Sequence, residues 1–221
     1  MFQYTRRIAL TAFAALALTA CSQADNGAGT TPPKAPGSPT LTEIALGSPD
    51  APITMVEYAS WTCTHCLQFD ETVMPMVRTD YIETGKVRYI FREFPTPPAN
   101  IAVAGFKLAR CSGEDAYYPF ISDLFANQTK ILNQARAGSG VEQTLRDIAA
   151  GHGITGQAFD DCLSNQEVTR AISAVVLTGD AQGVNSTPTL FINGEMLPGY
   201  DWRTAEGMKT LLDGLLEAES E

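Results

Sequence analysis

Glu57-Tyr58-Ala59-Ser60-Trp61-Thr62-Cys63-Thr64-His65-Cys66 carries two thiols across a change of hydrophobic period. Before it, Ile53 to Tyr58 is a short β-branched and apolar run behind Pro49-Asp50-Ala51-Pro52, and it reads as a buried strand. After it, Leu67, Phe69, Val73, Met76, Val77 and Tyr81 fall at roughly helical spacing until Gly85. The thiols thus stand where a strand ends and a helix begins. Free N–H groups and the positive end of the helix dipole are aimed at the first of them, so a thiolate at Cys63 is favoured. Cys66, one turn further in, is expected to be more buried, with the higher pKa that suits a resolving thiol. His65 can donate to the Cys63 thiolate or, when protonated, pair with it. A stabilised thiolate favours the reduced pair and makes the Cys63-Cys66 disulfide a stronger oxidant. The same residues also allow a plain disulfide or half of a zinc site. Zinc needs two more ligands, and His152, Cys111 and Cys162 stand apart, so no metal and no cofactor beyond the disulfide is expected. A copper-binding periplasmic lipoprotein, taking Cu(I) through Cys63, His65 and Cys66, is the reading from a different class.

On the C-terminal side, Pro75 lies inside the helical pattern and predicts a kink. Lys86 to Phe94 alternates Val87, Tyr89 and Phe91 with polar residues, a second strand closed by Pro95-Thr96-Pro97-Pro98. Strand, helix and strand in this length suffice for one right-handed crossover. From Ala99 to Gln182 the character is helical, over Ile101 to Arg110, Ala116 to Phe125, Val141 to Ala150 and Gln166 to Ala181. Thr189 to Ile192, the turn Asn193-Gly194 and Glu195 to Leu197 form a hairpin, and a final amphipathic helix covers Trp202 to Leu216. Leu41 to Leu46 is expected to be a further short strand. This order describes an α/β (α+β) protein, a mixed sheet with an all-helical subdomain inserted at its middle. The sheet domain is expected over 40–95 and 183–221 and the insertion over 96–182.

The chain has 221 residues, 44% hydrophobic and 18% charged, which excludes a disordered acidic protein and a multispanning membrane protein. A formal net charge of -10 argues against nucleic acid as a partner, because phosphate contacts need clustered positive charge. Arg6 and Arg7 precede an apolar run, Ile8 to Ala20, that is too short to span a bilayer. Residues 1–20 read as a signal peptide. Leu18-Thr19-Ala20-Cys21 resembles a bacterial lipoprotein signal in which Cys21 is acylated, giving a lipid partner and a place on the periplasmic face of the cell envelope. Ser22 points by analogy to the outer membrane. Residues 21–39 then form an acylated cysteine and a Pro/Gly-rich tether that would reach roughly 25 Å as a flexible coil.

Residues 57–66, the Pro75 kink, Arg88-Tyr89-Ile90-Phe91-Arg92-Glu93-Phe94-Pro95 and Ser186-Thr187-Pro188-Thr189-Leu190-Phe191-Ile192-Asn193-Gly194 together resemble the thioredoxin-fold disulfide oxidoreductases of the DsbA kind. The resemblance covers about residues 40 to 218. It implies that Pro188 is cis and faces the active-site disulfide, and that Thr187 offers backbone groups to an extended client segment. Glu57 matches a buried acid that shuttles the proton of the resolving thiol. As a bare residue on a strand, Glu57 reads instead as an exposed or paired carboxylate. Thr64 departs from the proline of the best-known members. The implied activity is oxidation of cysteine pairs in reduced or misoxidised exported proteins, followed by recycling through a membrane redox partner. A reductase or isomerase on the same fold is the alternative; only the tether precedes the catalytic region, so a monomeric oxidase is expected.

Five cysteines are an odd number for an exported chain. They divide as Cys21 for lipid, Cys63 with Cys66 for redox turnover, and Cys111 with Cys162 in the insertion. In an oxidising compartment a structural disulfide is the leading reading of that last pair, with two buried free thiols as the other.

Overall fold

A computed structural model describes residues 41–218. The expected signal peptide (1–20), Cys21 and the whole of the expected tether (21–39) lie outside the described residues. The sheet has the order β1-β3-β2-β4-β5, built from β1 (Ala45–Leu46), β2 (Ile53–Ala59), β3 (Val87–Glu93), β4 (Thr189–Ile192) and β5 (Glu195–Met196). β2 pairs parallel with β3, Val56 opposite Ile90, and antiparallel with β4, Glu57 opposite Leu190. With a strand on each side and both faces covered, β2 is buried along nearly its whole length, which is why its sequence is a continuous apolar run rather than an alternating one. The expected strand Leu41 to Leu46 shrinks to two residues on the sheet edge, antiparallel to β3.

The predicted kink at Pro75 is a full break. α1 (Thr64–Thr72) closes with the Val73 N–H on the Phe69 carbonyl, and α2 (Met74–Val77) restarts with Pro75 in its first turn, where a missing N–H costs nothing. A π-helical turn, Arg78–Ile82, leads into β3. The hairpin at the far side follows its turn chemistry. Asn193 and Gly194 both take positive φ, 48° and 87°, and the Asn193 side chain accepts the Thr54 N–H at 2.8 Å.

Between β3 and β4 run α3 (Ala99–Cys111), α4 (Glu114–Ala126), α5 (Gln128–Ala137), α6 (Val141–Gly151), α7 (Gln157–Ser164) and α8 (Gln166–Ala181). α5 and α7 fall between the helical segments that the apolar pattern bounds, inside the stretch of helical character. Both are short and polar, anchored in the core by Gln128 and Ile131 and by Phe159 and Cys162 respectively, too few apolar positions to show a period. Cys111 and Cys162 are joined by a disulfide that ties α3 to α7 across 51 positions. After β5 a 3-10 turn, Asp201–Arg203, precedes α9 (Ala205–Ala218), so the last helix starts later than its apolar pattern predicts.

Two polar or tight contacts join these helices to the sheet and to the turn that follows β2. Glu93 at the end of β3 is fully buried and takes a two-pronged ion pair from Arg110 of α3, at 2.7 and 2.9 Å, plus the Tyr117 hydroxyl of α4 at 2.8 Å. Gly105 lets α3 lie directly on Trp61. A Cβ at that position would stand 2.6 Å from the indole Nε1, which itself donates to the Ala102 carbonyl at 2.9 Å.

Candidate active site

Cys63 is the N-cap residue of α1, with extended backbone at φ -88° and ψ 124°. Its side chain makes no capping hydrogen bond, but the sulfur stands at the helix N-terminus. It meets the backbone N–H groups of His65 and Cys66, the Cys66 thiol and the Thr187 hydroxyl. The Cys66 thiol contributes most, with Thr187 and the two backbone groups behind it, and together they outweigh partial burial. The Cys63 pKa is lowered from the ordinary 9.0 to about 5. Cys66 has the opposite environment. It is buried, and that burial, its hydrogen bond to Cys63 and the nearby carboxyl of Glu57 all push its pKa up. The two are free thiols in this structure. His65 enters through its backbone. Its imidazole is exposed and makes no hydrogen bond among the described residues, so pairing of that ring with the thiolate, expected from the sequence, is replaced by the helix-terminal N–H.

Thr187 and Pro188 lie opposite. The Thr187–Pro188 peptide is cis, and the Cys63 thiol donates to the Thr187 carbonyl at 3.4 Å. The sequence brings these residues together because β4, which begins at Thr189, pairs with β2, which runs into the Cys63 turn.

Glu57 is 3% exposed, which sets aside the exposed carboxylate and leaves the buried acid. Burial raises its pKa from 4.5 to about 8; the Tyr89 hydroxyl, donating at 2.6 Å, moderates the rise, and the charges of Asp70 and Cys63 add to it. Glu57 is therefore mostly protonated at neutral pH. Asp70 of α1 is also raised, by burial, with Arg78 acting against it.

Several residues that hold this turn carry no sequence signal. Gln128, at the start of α5 and 1% exposed, donates through Nε2 to the carbonyls of Trp61 at 2.7 Å and Cys63 at 3.0 Å. The Ser60 and Thr62 hydroxyls meet at 2.8 Å, Thr62 meets the Thr96 hydroxyl at 2.8 Å, and the Thr96 N–H returns to Ser60 at 3.2 Å. Only a pairing register or a docked helix brings such partners together, so residue type alone could not have marked them. Among the described residues no three His, Cys, Asp or Glu side chains group to hold a metal ion, and no helix is long and apolar enough to cross a membrane.

A strand leading to a thiol at a helix N-terminus, a buried partner thiol and a cis Thr187-Pro188 peptide whose Thr187 carbonyl meets the first sulfur form the geometry of a thioredoxin-type site. The family model described as thioredoxin matches residues 39–214, and the chain belongs to that family. Within it the likeness is to DsbA-type proteins. The chain is 28% identical to Wolbachia pipientis alpha-DsbA1, with a TM-score of 0.69 over 80% of this chain and 92% of that structure. The fold also matches oxidised BdbD from Bacillus subtilis, with a TM-score of 0.65 at 20% identity over 82% of this chain and 97% of that structure. A protein of Rickettsia bellii with a provisional protein-disulfide oxidoreductase name is 29% identical over 159 residues, 72% of this chain. The chain spans 60% of the length of that relative.

Proposed function

We propose that the chain is a thiol:disulfide oxidoreductase that oxidises cysteine pairs in exported client proteins through a Cys63-Cys66 disulfide. The observation that carries the reading is the split between the two thiols, Cys63 acidic at about 5 on the helix terminus and Cys66 buried with its pKa raised. A client thiolate attacks Cys63 Sγ. The Cys63-Cys66 bond breaks, and Cys66 leaves with the electron pair and takes up a proton. Glu57, protonated at neutral pH, supplies that proton to the buried sulfur. A second client thiolate then attacks the client sulfur of the mixed disulfide, and Cys63 leaves as thiolate. Its low pKa makes it a good leaving group, so the client is released with its new bond. Two electrons pass from the client dithiol to the Cys63-Cys66 pair, and a membrane redox partner removes them to complete the cycle.

The Thr187 backbone beside the sulfur supports strand-like pairing of the client segment during the mixed-disulfide stage. The leader-like residues 1–20, Cys21 and the tether support a lipid-anchored place in the cell envelope, where clients emerge reduced. The test is oxidative refolding of a reduced client. The unaltered chain is expected to accelerate it and Cys63→Ala to lose that effect; a Cys63→Ala protein that still accelerates refolding would contradict the proposal.

A further inference from the structure

Ser186, Thr187 and Pro188 each commit their carbonyl to a different partner. The Ser186 carbonyl accepts the Thr189 hydroxyl at 2.8 Å, a local clasp. The Thr187 carbonyl accepts the Cys63 thiol at 3.4 Å, a weak bond that a client can replace. The Pro188 carbonyl accepts Nη2 of Arg203 at 3.3 Å. Arg203, like Cys63, thus reaches this loop from a separate element, here the 3-10 turn between β5 and α9.

The guanidinium is held by more than that bond. Its carbon lies 4.4 Å from the ring centre of Tyr200 and 5.0 Å from that of Trp202. Trp202 is buried and meets Phe69 of α1 edge-on at 5.7 Å, so Arg203 rests on the same layer that carries the active-site helix. Tyr200 is 70% exposed and covers the guanidinium from the outside. Nε of Arg203 is buried and has no hydrogen-bond partner among the described residues. The two rings reward a cation resting on them, but an orphaned N–H lowers stability, and ring stacking by itself does not aim a donor at the loop. What only a long donor supplies here is the bond to Pro188.

We propose that Arg203 is a positioning residue for Thr187, fixing the peptide plane on the C-terminal side of the cis bond while Thr189 fixes the N-terminal side. The inference rests on the oxidoreductase reading and adds to it the residue that keeps the client-pairing edge in place. Arg203 acts by geometry, through its bond to the Pro188 carbonyl. With the carbonyls on both sides tied down, the Thr187 carbonyl can exchange the Cys63 thiol for a client N–H without the loop shifting.

The experiment uses the full chain with Arg203→Met and Arg203→Lys, and oxidation of a two-cysteine peptide as client. Arg203→Met is expected to raise KM about tenfold while kcat stays within about twofold, the pattern of lost positioning of a bound segment. Arg203→Lys, whose ammonium still donates to the Pro188 carbonyl, is expected to recover most of that loss. Thermal melts establish that both variants are folded, and the lysine variant is decisive if the methionine variant is not. A KM equal to that of the unaltered chain in a folded variant, with only the melting temperature lowered, would overturn the proposal and leave Arg203 a structural residue. If the unaltered chain itself fails to oxidise the peptide, it is the proposed function that falls. The pH profile of Cys63 alkylation then decides for Arg203: a raised midpoint in Arg203→Met supports the positioning role, because the Thr187 hydroxyl has moved, and an unmoved midpoint overturns it.

Discussion

Cys63 and Cys66 share a helical turn but differ in what surrounds each sulfur, and that difference can be read directly. Alkylation of the reduced chain followed across pH is expected to modify Cys63 with a midpoint near about 5, while Cys66 stays unmodified through neutral pH. The linked stabilities have opposite signs. Cys63 is depressed in the folded state, from 9.0 to about 5, so the reduced protein gains stability over the oxidised one as pH rises across that window and loses the advantage as pH falls through about 5. Glu57 is raised, from 4.5 to about 8, so the folded state keeps a proton that the unfolded chain has released, and stability falls as pH rises across that interval. Denaturant melts of the oxidised protein should show this decline, and Glu57→Gln should flatten it. The same variant is expected to slow client oxidation by about tenfold or more in stopped-flow mixing, because an amide cannot supply the proton that Cys66 needs. The cysteines were legible in the sequence because their chemistry depends on a local strand-to-helix junction. The state of Glu57 was not legible from the residue itself, since only the fold sets β3 and β4 on either side of β2 and the helices over its faces.

Among the elements, α3 and α5 hold the active-site turn from outside the sheet. Gly105→Ala would place its methyl 2.6 Å from Trp61, a side chain with no room to retreat, and is expected to cost about 1–3 kcal/mol in a denaturant melt. Gln128→Leu would leave the Trp61 and Cys63 carbonyls without that donor, at about 1–3 kcal/mol. It is also expected to raise the alkylation midpoint of Cys63, by loosening the residue that caps α1. The strands, the hairpin and the break near Pro75 were legible because period, turn residues and a missing N–H are local properties. α5 and α7 were not, because one or two core anchors cannot establish a helical period. Gln128 shows the consequence: a polar residue in an unrecognised helix turned out to support the reactive turn.

At the scale of the whole molecule, the sheet and the helices between β3 and β4 are bound together by the Glu93-Arg110 pair and, within the helices, by Cys111-Cys162. Closing a loop of 51 positions stabilises a chain by about 4 kcal/mol on entropic grounds, so replacing both cysteines with alanine should lower stability by up to that amount in a melt of the otherwise intact protein. The thiol count follows the same partition: gentle reduction of the described chain should release Cys63 and Cys66 before Cys111 and Cys162. The overall architecture was legible from the order of strand and helix patterns, whereas the bonds that dock one on the other span tens of residues and emerge only in three dimensions. The central claim concerns the direction of electron flow, and the reduction potential of Cys63-Cys66 tests it most directly. An acidic Cys63 stabilises the reduced pair, so the account predicts a potential nearer the roughly -120 mV of DsbA than the roughly -270 mV of thioredoxin. A value close to that of thioredoxin would contradict it and make the protein a reductant.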